Sequence, residues 1–133
     1  MALNKYVCEK TYHTPYINLD PASGNFELTG KSIPENTGSF YKPLFEWLIE
    51  YSKFPAPKTM LNIQLDYFNT SSSKCILDVF KKLDQIHTSG KGEVIINWLY
   101  NENDDDIQEA GDEYKSMLKL PFELISFKKT DTR

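Results

Sequence analysis

MLNIQLDYFNTSSSKCILDVFKKLDQIHTSGKGEVIINWLY, residues 60–100, changes its hydrophobic period twice. Over its first nine residues Leu61, Ile63, Leu65 and Tyr67 alternate with Asn62, Gln64 and Asp66. That alternation describes a strand with one wet face. From about Ser72 the apolar positions recur at helical spacing as Ile76, Phe80 and Leu83, with His87 on the same stripe, and Gly90 and Gly92 close the segment. Glu93 to Tyr100 is then almost continuously apolar, β-branched and aromatic, as a central strand is. Strand, helix and strand in succession predict a parallel pair joined by a right-handed crossover.

Working outward, Tyr16–Leu19 and Asn25–Thr29 are short strand candidates joined by Asp20-Pro-Ala-Ser-Gly24, a connector with hairpin-loop chemistry. Ser39 reads as a helix N-cap, followed by the stripe Phe40, Leu44, Trp47, Leu48 and Tyr51. Pro55 and Pro57 end that helix. On the far side, Asp104, Asp105 and Asp106 suit the positive end of a third helix with Ile107, Ala110, Tyr114, Met117 and Leu118 on one face. A last strand spans Phe122–Phe127, and the tail 128–133 is expected to fray. The order is β-β-α-β-α-β-α-β in one domain over residues 1–133, an α/β fold with a mixed sheet and helices mainly on one face.

A chain of 133 residues has room for one core, and 40% hydrophobic residues suffice to fill it. The net charge of -4, without a basic block, argues against binding nucleic acid or an anionic membrane. No apolar run reaches the ~20 residues of a membrane span, and the first fifteen residues are too mixed for a signal peptide. Cys8 and Cys75 match no metal or redox spacing, which fits a reduced, cytoplasmic protein.

Familiar chemistry is hard to find. Gly30-Lys31-Ser32 imitates the end of a phosphate-binding loop, but position 25 is Asn where that motif needs Gly. The aspartates at 104–106 are consecutive, so they serve a helix dipole better than a metal ion. His13 and His87 have no partner at a useful spacing, and Cys75 reads as a packed thiol. Asp66, Glu35 and the 104–106 cluster are unpaired around any base or ligand set. The expectation is no catalytic residue, no metal and no cofactor.

What remains is Asn69-Thr70-Ser71-Ser72-Ser73-Lys74, a hydroxyl run between strand and helix. One or two of these side chains suffice to cap the free backbone N–H groups. The same N–H groups and the helix dipole would also stabilise an added anion, including a covalent phosphate. From the residues alone both readings stand.

Across about residues 12–127 the chain resembles the SiaC family of bacterial regulatory phosphoproteins, small STAS-like domains akin to anti-sigma-factor antagonists. The matching blocks are Phe26–Gly30, Ser32-Ile-Pro34-Glu35, Phe40-Tyr-Lys-Pro-Leu44 with Trp47 and Tyr51, Phe68–Lys74, Leu77–Leu83, Trp98–Tyr100 and the Asp-rich turn. The resemblance implies that Thr70 is a phosphoacceptor, modified by a cognate protein kinase and restored by a PP2C-like phosphatase. It further implies that the unphosphorylated form binds and regulates an output protein such as a diguanylate cyclase, linking the switch to cyclic-di-GMP and biofilm behaviour. Ser32, Pro34 and Glu35 are then expected beside the phosphosite as partner surface. The alternatives are a constitutive interaction scaffold, a small-ligand module or a small enzyme.

Overall fold

The computed structural model describes residues 3–128. The chain runs β1 (Tyr6–Cys8), β2 (Tyr16–Leu19), β3 (Asn25–Ser32), α1 (Thr37–Tyr51), β4 (Lys58–Phe68), α2 (Thr70–Ser89), β5 (Glu93–Asn101), α3 (Asp105–Ser116) and β6 (Phe122–Phe127). The expected order holds apart from one added strand. β1 has three residues, too few to display a period, and it adds to β2 at the sheet edge. Beyond Lys128, the expected fraying of the 128–133 tail lies outside the described residues.

The six strands lie in the sheet in the order β1-β2-β3-β4-β5-β6. β1, β2 and β3 pair antiparallel, while β3 through β6 pair parallel. Each parallel step advances in the same direction, so right-handed crossovers place α1, α2 and α3 on one face. Inward side chains share that face: Phe26 and Leu28 from β3, Leu61, Ile63 and Leu65 from β4, and Val94, Ile96 and Trp98 from β5. The opposite face carries Asn62, Gln64 and Asn97, and no helix among the described residues covers it. This is the wet face that the alternation in β4 foretold.

Two helices depart from their expected phasing. Ser39 is not the cap of α1; Asn36 is, with extended backbone and a side chain that accepts from the Ser39 N–H at 3.0 Å. The buried stripe is Tyr41, Leu44, Trp47, Leu48 and Tyr51, with Phe40 at its margin. In α3 the C-cap falls at Met117, so that side chain is 51% exposed rather than packed. The centre of its buried face is Gly111, where an added Cβ would lie 2.5 Å from Trp98 Cδ1. Only a residue without a side chain lets α3 lie this close to the indole, whose Nε1 donates to the Ile107 carbonyl at 2.9 Å.

An irregularity in the sheet prepares the corner described next. The β3–β4 register shifts at Gly30/Lys31, so that Gly30 faces Leu65 and Lys31 faces Tyr67. The extra β4 residue, Asp66, turns the strand end. Phe68 is thereby brought beside Ser32, and the Asn69 N–H donates to the Ser32 carbonyl at 3.1 Å.

Candidate functional site

The parallel strands β3 and β4 end side by side, and the helices that follow them begin there. Asn69 ends the extended backbone at φ -85° and ψ 173°, and its side chain accepts from the Ser72 N–H at 2.8 Å. The cap of α2 is therefore Asn69 rather than a serine. Thr70 consequently becomes the first residue of the helix, two positions earlier than the period implied.

The four hydroxyls then separate by environment. Ser72 is fully buried; its Oγ donates to the Ser32 carbonyl at 2.9 Å and accepts from Ser32 Oγ at 2.8 Å. Tyr41 Oη completes this chain at 2.6 Å from Ser32 Oγ. Since the Ser32 proton goes to Ser72, Tyr41 supplies the donor. Burial pushes the Tyr41 hydroxyl up to about 12, which keeps it protonated in that role. Ser71 Oγ and Thr37 Oγ1 share a 2.8 Å hydrogen bond, which ties the first turn of α2 to that of α1. Ser73 Oγ donates to the Thr70 carbonyl at 2.8 Å, and the Ser73 carbonyl accepts from Tyr114 Oη at 2.9 Å. Burial raises the Tyr114 hydroxyl as well. Thr70 is exposed, and among the described residues its hydroxyl has no hydrogen-bond partner.

So the run is three structural serines and one free threonine. Neither α1 nor α2 has an acidic residue in its first turn, whereas α3 has Asp105 and Asp106. Lys74 lies four residues beyond Thr70, on the same face of α2, and is exposed.

Of the three residues expected as partner surface, Ser32 belongs to this corner but is fully buried. Pro34 is buried too, and only Glu35, next to the Asn36 cap, is exposed. Ser32 and Pro34 thus support the corner from beneath and cannot themselves be touched by a partner. Tyr41, Thr37 and Tyr114 had not been singled out as site residues. A buried tyrosine hydroxyl needs a partner, which is the one signal that could have marked Tyr114. The remaining candidates have ordinary duties. Asp104 caps α3 by accepting from the Ile107 N–H at 3.1 Å. His87 is half-buried, and its Nδ1 accepts from the Val94 N–H at 3.1 Å. Gly30-Lys31-Ser32 lies inside β3, with Lys31 over the Tyr12 ring. Burial raises the thiols of Cys8 and Cys75 above their ordinary value. No helix among the described residues is long and apolar enough to cross a membrane.

Together these features define a small two-layer α/β domain with an exposed, unengaged hydroxyl in the first turn of a capped helix. The profile of the SiaC family regulatory phosphoprotein matches residues 8–127. The chain belongs to the SiaC family. It is 28% identical over 112 residues to an uncharacterized protein of Pseudomonas aeruginosa strain UCBPP-PA14, covering 84% of this chain and 88% of that one. The crystal structure of apo-SiaC from Pseudomonas aeruginosa superposes with a TM-score of 0.83 at 26% identity, over 91% of this chain and 98% of that one. A chain from the crystal structure of the diguanylate cyclase SiaD in complex with its activator SiaC, also from Pseudomonas aeruginosa, superposes with a TM-score of 0.85 at 25% identity, over 92% and 99%.

Proposed function

We propose that this chain is a non-enzymatic, cytoplasmic partner switch controlled by phosphorylation of Thr70. A cognate protein kinase adds the phosphate, and a PP2C-like phosphatase removes it. The unphosphorylated form binds and activates an output protein of the diguanylate cyclase class. The output assignment is supported by the likeness to SiaC, which is the activator in the complex with SiaD.

The observation that carries the reading is the division of labour in the hydroxyl run. Ser71, Ser72 and Ser73 are each engaged in hydrogen bonds, whereas Thr70 is exposed and unengaged at the first helical position. A kinase can reach this oxygen without unfolding the helix. The resulting dianion meets free N–H groups and the positive end of the helix dipole. A surface that binds a partner before modification would then face about -1.5 to -2 additional charges that resist desolvation. The monotonic strand order also supports a surface role, because a sheet whose helices share one face has no switch-point crevice for a substrate.

The test is intact-mass analysis of wild type and Thr70→Ala after incubation with the cognate kinase, followed by cyclase binding with each form. Wild type is expected to gain one phosphate and lose binding, while Thr70→Ala gains none and keeps binding. Equal phosphorylation of both proteins would refute the assignment.

A further inference from the structure

We propose that the groove between α2 and α3 beside Thr70 receives a short segment of the output protein carrying one apolar anchor with an acidic residue next to it. The phosphoswitch reading supplies the identity of the partner; the groove supplies its chemistry.

Thr70, Lys74 and Leu77 follow the i, i+4, i+7 spacing and so share one face of α2. All three line a cavity of about 320 Å³, with Phe68 at the end of β4 and Glu113 and Met117 across from them on α3 and its cap. That volume is at the low end for a small-molecule site, and it suits one or two side chains. Phe68 and Leu77 are half-buried and Met117 is half-exposed, so the floor is apolar and open.

Charge favours an acidic companion to the anchor at the Lys74 end, and Glu113 across the groove would repel one placed toward α3. Among the described residues the one ion pair is Lys53 with Glu50, so neither Lys74 nor Glu113 is paired. At the Thr70 end, Lys74 and the α2 N-terminus both favour a negative charge, and no acidic side chain of the first turn supplies it. A carboxylate from the partner fits there. A phosphate on Thr70 would fill the same place, neutralise Lys74 and leave the end negative, so phosphate and partner exclude one another.

The test is selection of random displayed peptides on the unphosphorylated full chain, with affinities of the enriched peptides measured by fluorescence polarisation. Enriched peptides are expected to carry an apolar anchor with Asp or Glu within one turn. Met117→Glu, at an exposed position, should weaken them about ten-fold or more, and selection on Lys74→Glu should enrich basic flanks instead. Enrichment of nothing, tight binding to Met117→Glu, or no change of flank with Lys74→Glu would overturn the groove. Phosphorylated chain in the same assay separates the two readings. Peptides that need Met117 but ignore the phosphate keep the apolar anchor site and overturn both the switch and the acidic seat beside Lys74. Peptides that lose binding with phosphate but ignore Met117→Glu keep the switch and overturn the groove.

Discussion

Phosphorylating Thr70 should raise the melting temperature of the chain. The added charge lies at the first position of α2, whose first turn holds no acidic residue, and Lys74 follows one turn later on the same face. A single negative charge at an exposed helix N-terminus contributes about 0.3–1 kcal/mol, and an i, i+4 pair adds about 0.3–0.5 kcal/mol. A phosphate near two charges should therefore stabilise the fold by ~1–2 kcal/mol. For 133 residues the unfolding entropy is about 0.28 kcal/mol/K, so the midpoint should rise by ~4–7 °C. Differential scanning calorimetry of the kinase-treated and untreated protein measures this directly. The shift should shrink at about 1 M salt, where the Debye length is about 3 Å. A lower midpoint, or helical ellipticity lost on phosphorylation, would refute the reasoning. Either result would mean that the modification melts the first turn of α2 instead of charging an intact one.

Ser72→Ala should destabilise the fold by ~1–3 kcal/mol, since it leaves the buried Ser32 hydroxyl and its carbonyl each short of a partner; urea unfolding measures it. Ser73→Ala, on the rim, should cost well under half as much in the same titration. Gly111→Ala should also destabilise, by ~1–3 kcal/mol, although alanine favours helices, because its Cβ has no room against Trp98. At high pH the Tyr41 hydroxyl matters. Its value is raised from 10.0 to about 12, so the unfolded chain gives up this proton first. Its stability contribution is intact below about pH 10 and declines by up to ~2–3 kcal/mol as pH rises toward about 12. Tyr41→Phe should therefore begin less stable near pH 8, for want of the Ser32 hydrogen bond, and fall less steeply, so that the two unfolding curves converge.

The unit β4–α2–β5 was legible because each element spans enough residues for its period to dominate, and its inward residues Leu61, Ile63, Leu65, Ile76, Phe80 and Leu83 are all in the core. β1 escaped notice because a three-residue strand has no period and is held by pairing alone. The α1 boundary slipped because Asn36 and Ser39 are both good caps, and local chemistry cannot say which of them takes the extended backbone. At the site, the sequence marked the right hydroxyl run but could not divide it. What buries Ser72 is Ser32, forty residues earlier, and what occupies Ser71 is Thr37 on another helix. Thr70 stood out through resemblance to a family. Its physical distinction, an unengaged hydroxyl, belongs to tertiary structure.

Strand order has a consequence for how the molecule is made. The strands lie in the sheet in the order in which they are synthesised. A chain emerging N-terminus first can thus add each strand to the free edge left by the last, with no later strand inserted between two already paired. The edge of β4 then waits while the twenty-residue helix α2 is made, before β5 can pair with it. During that interval Leu61, Ile63 and Leu65 have only α1 to cover them. The synthesis rate across α2 therefore sets how long this apolar strand keeps an unpaired edge.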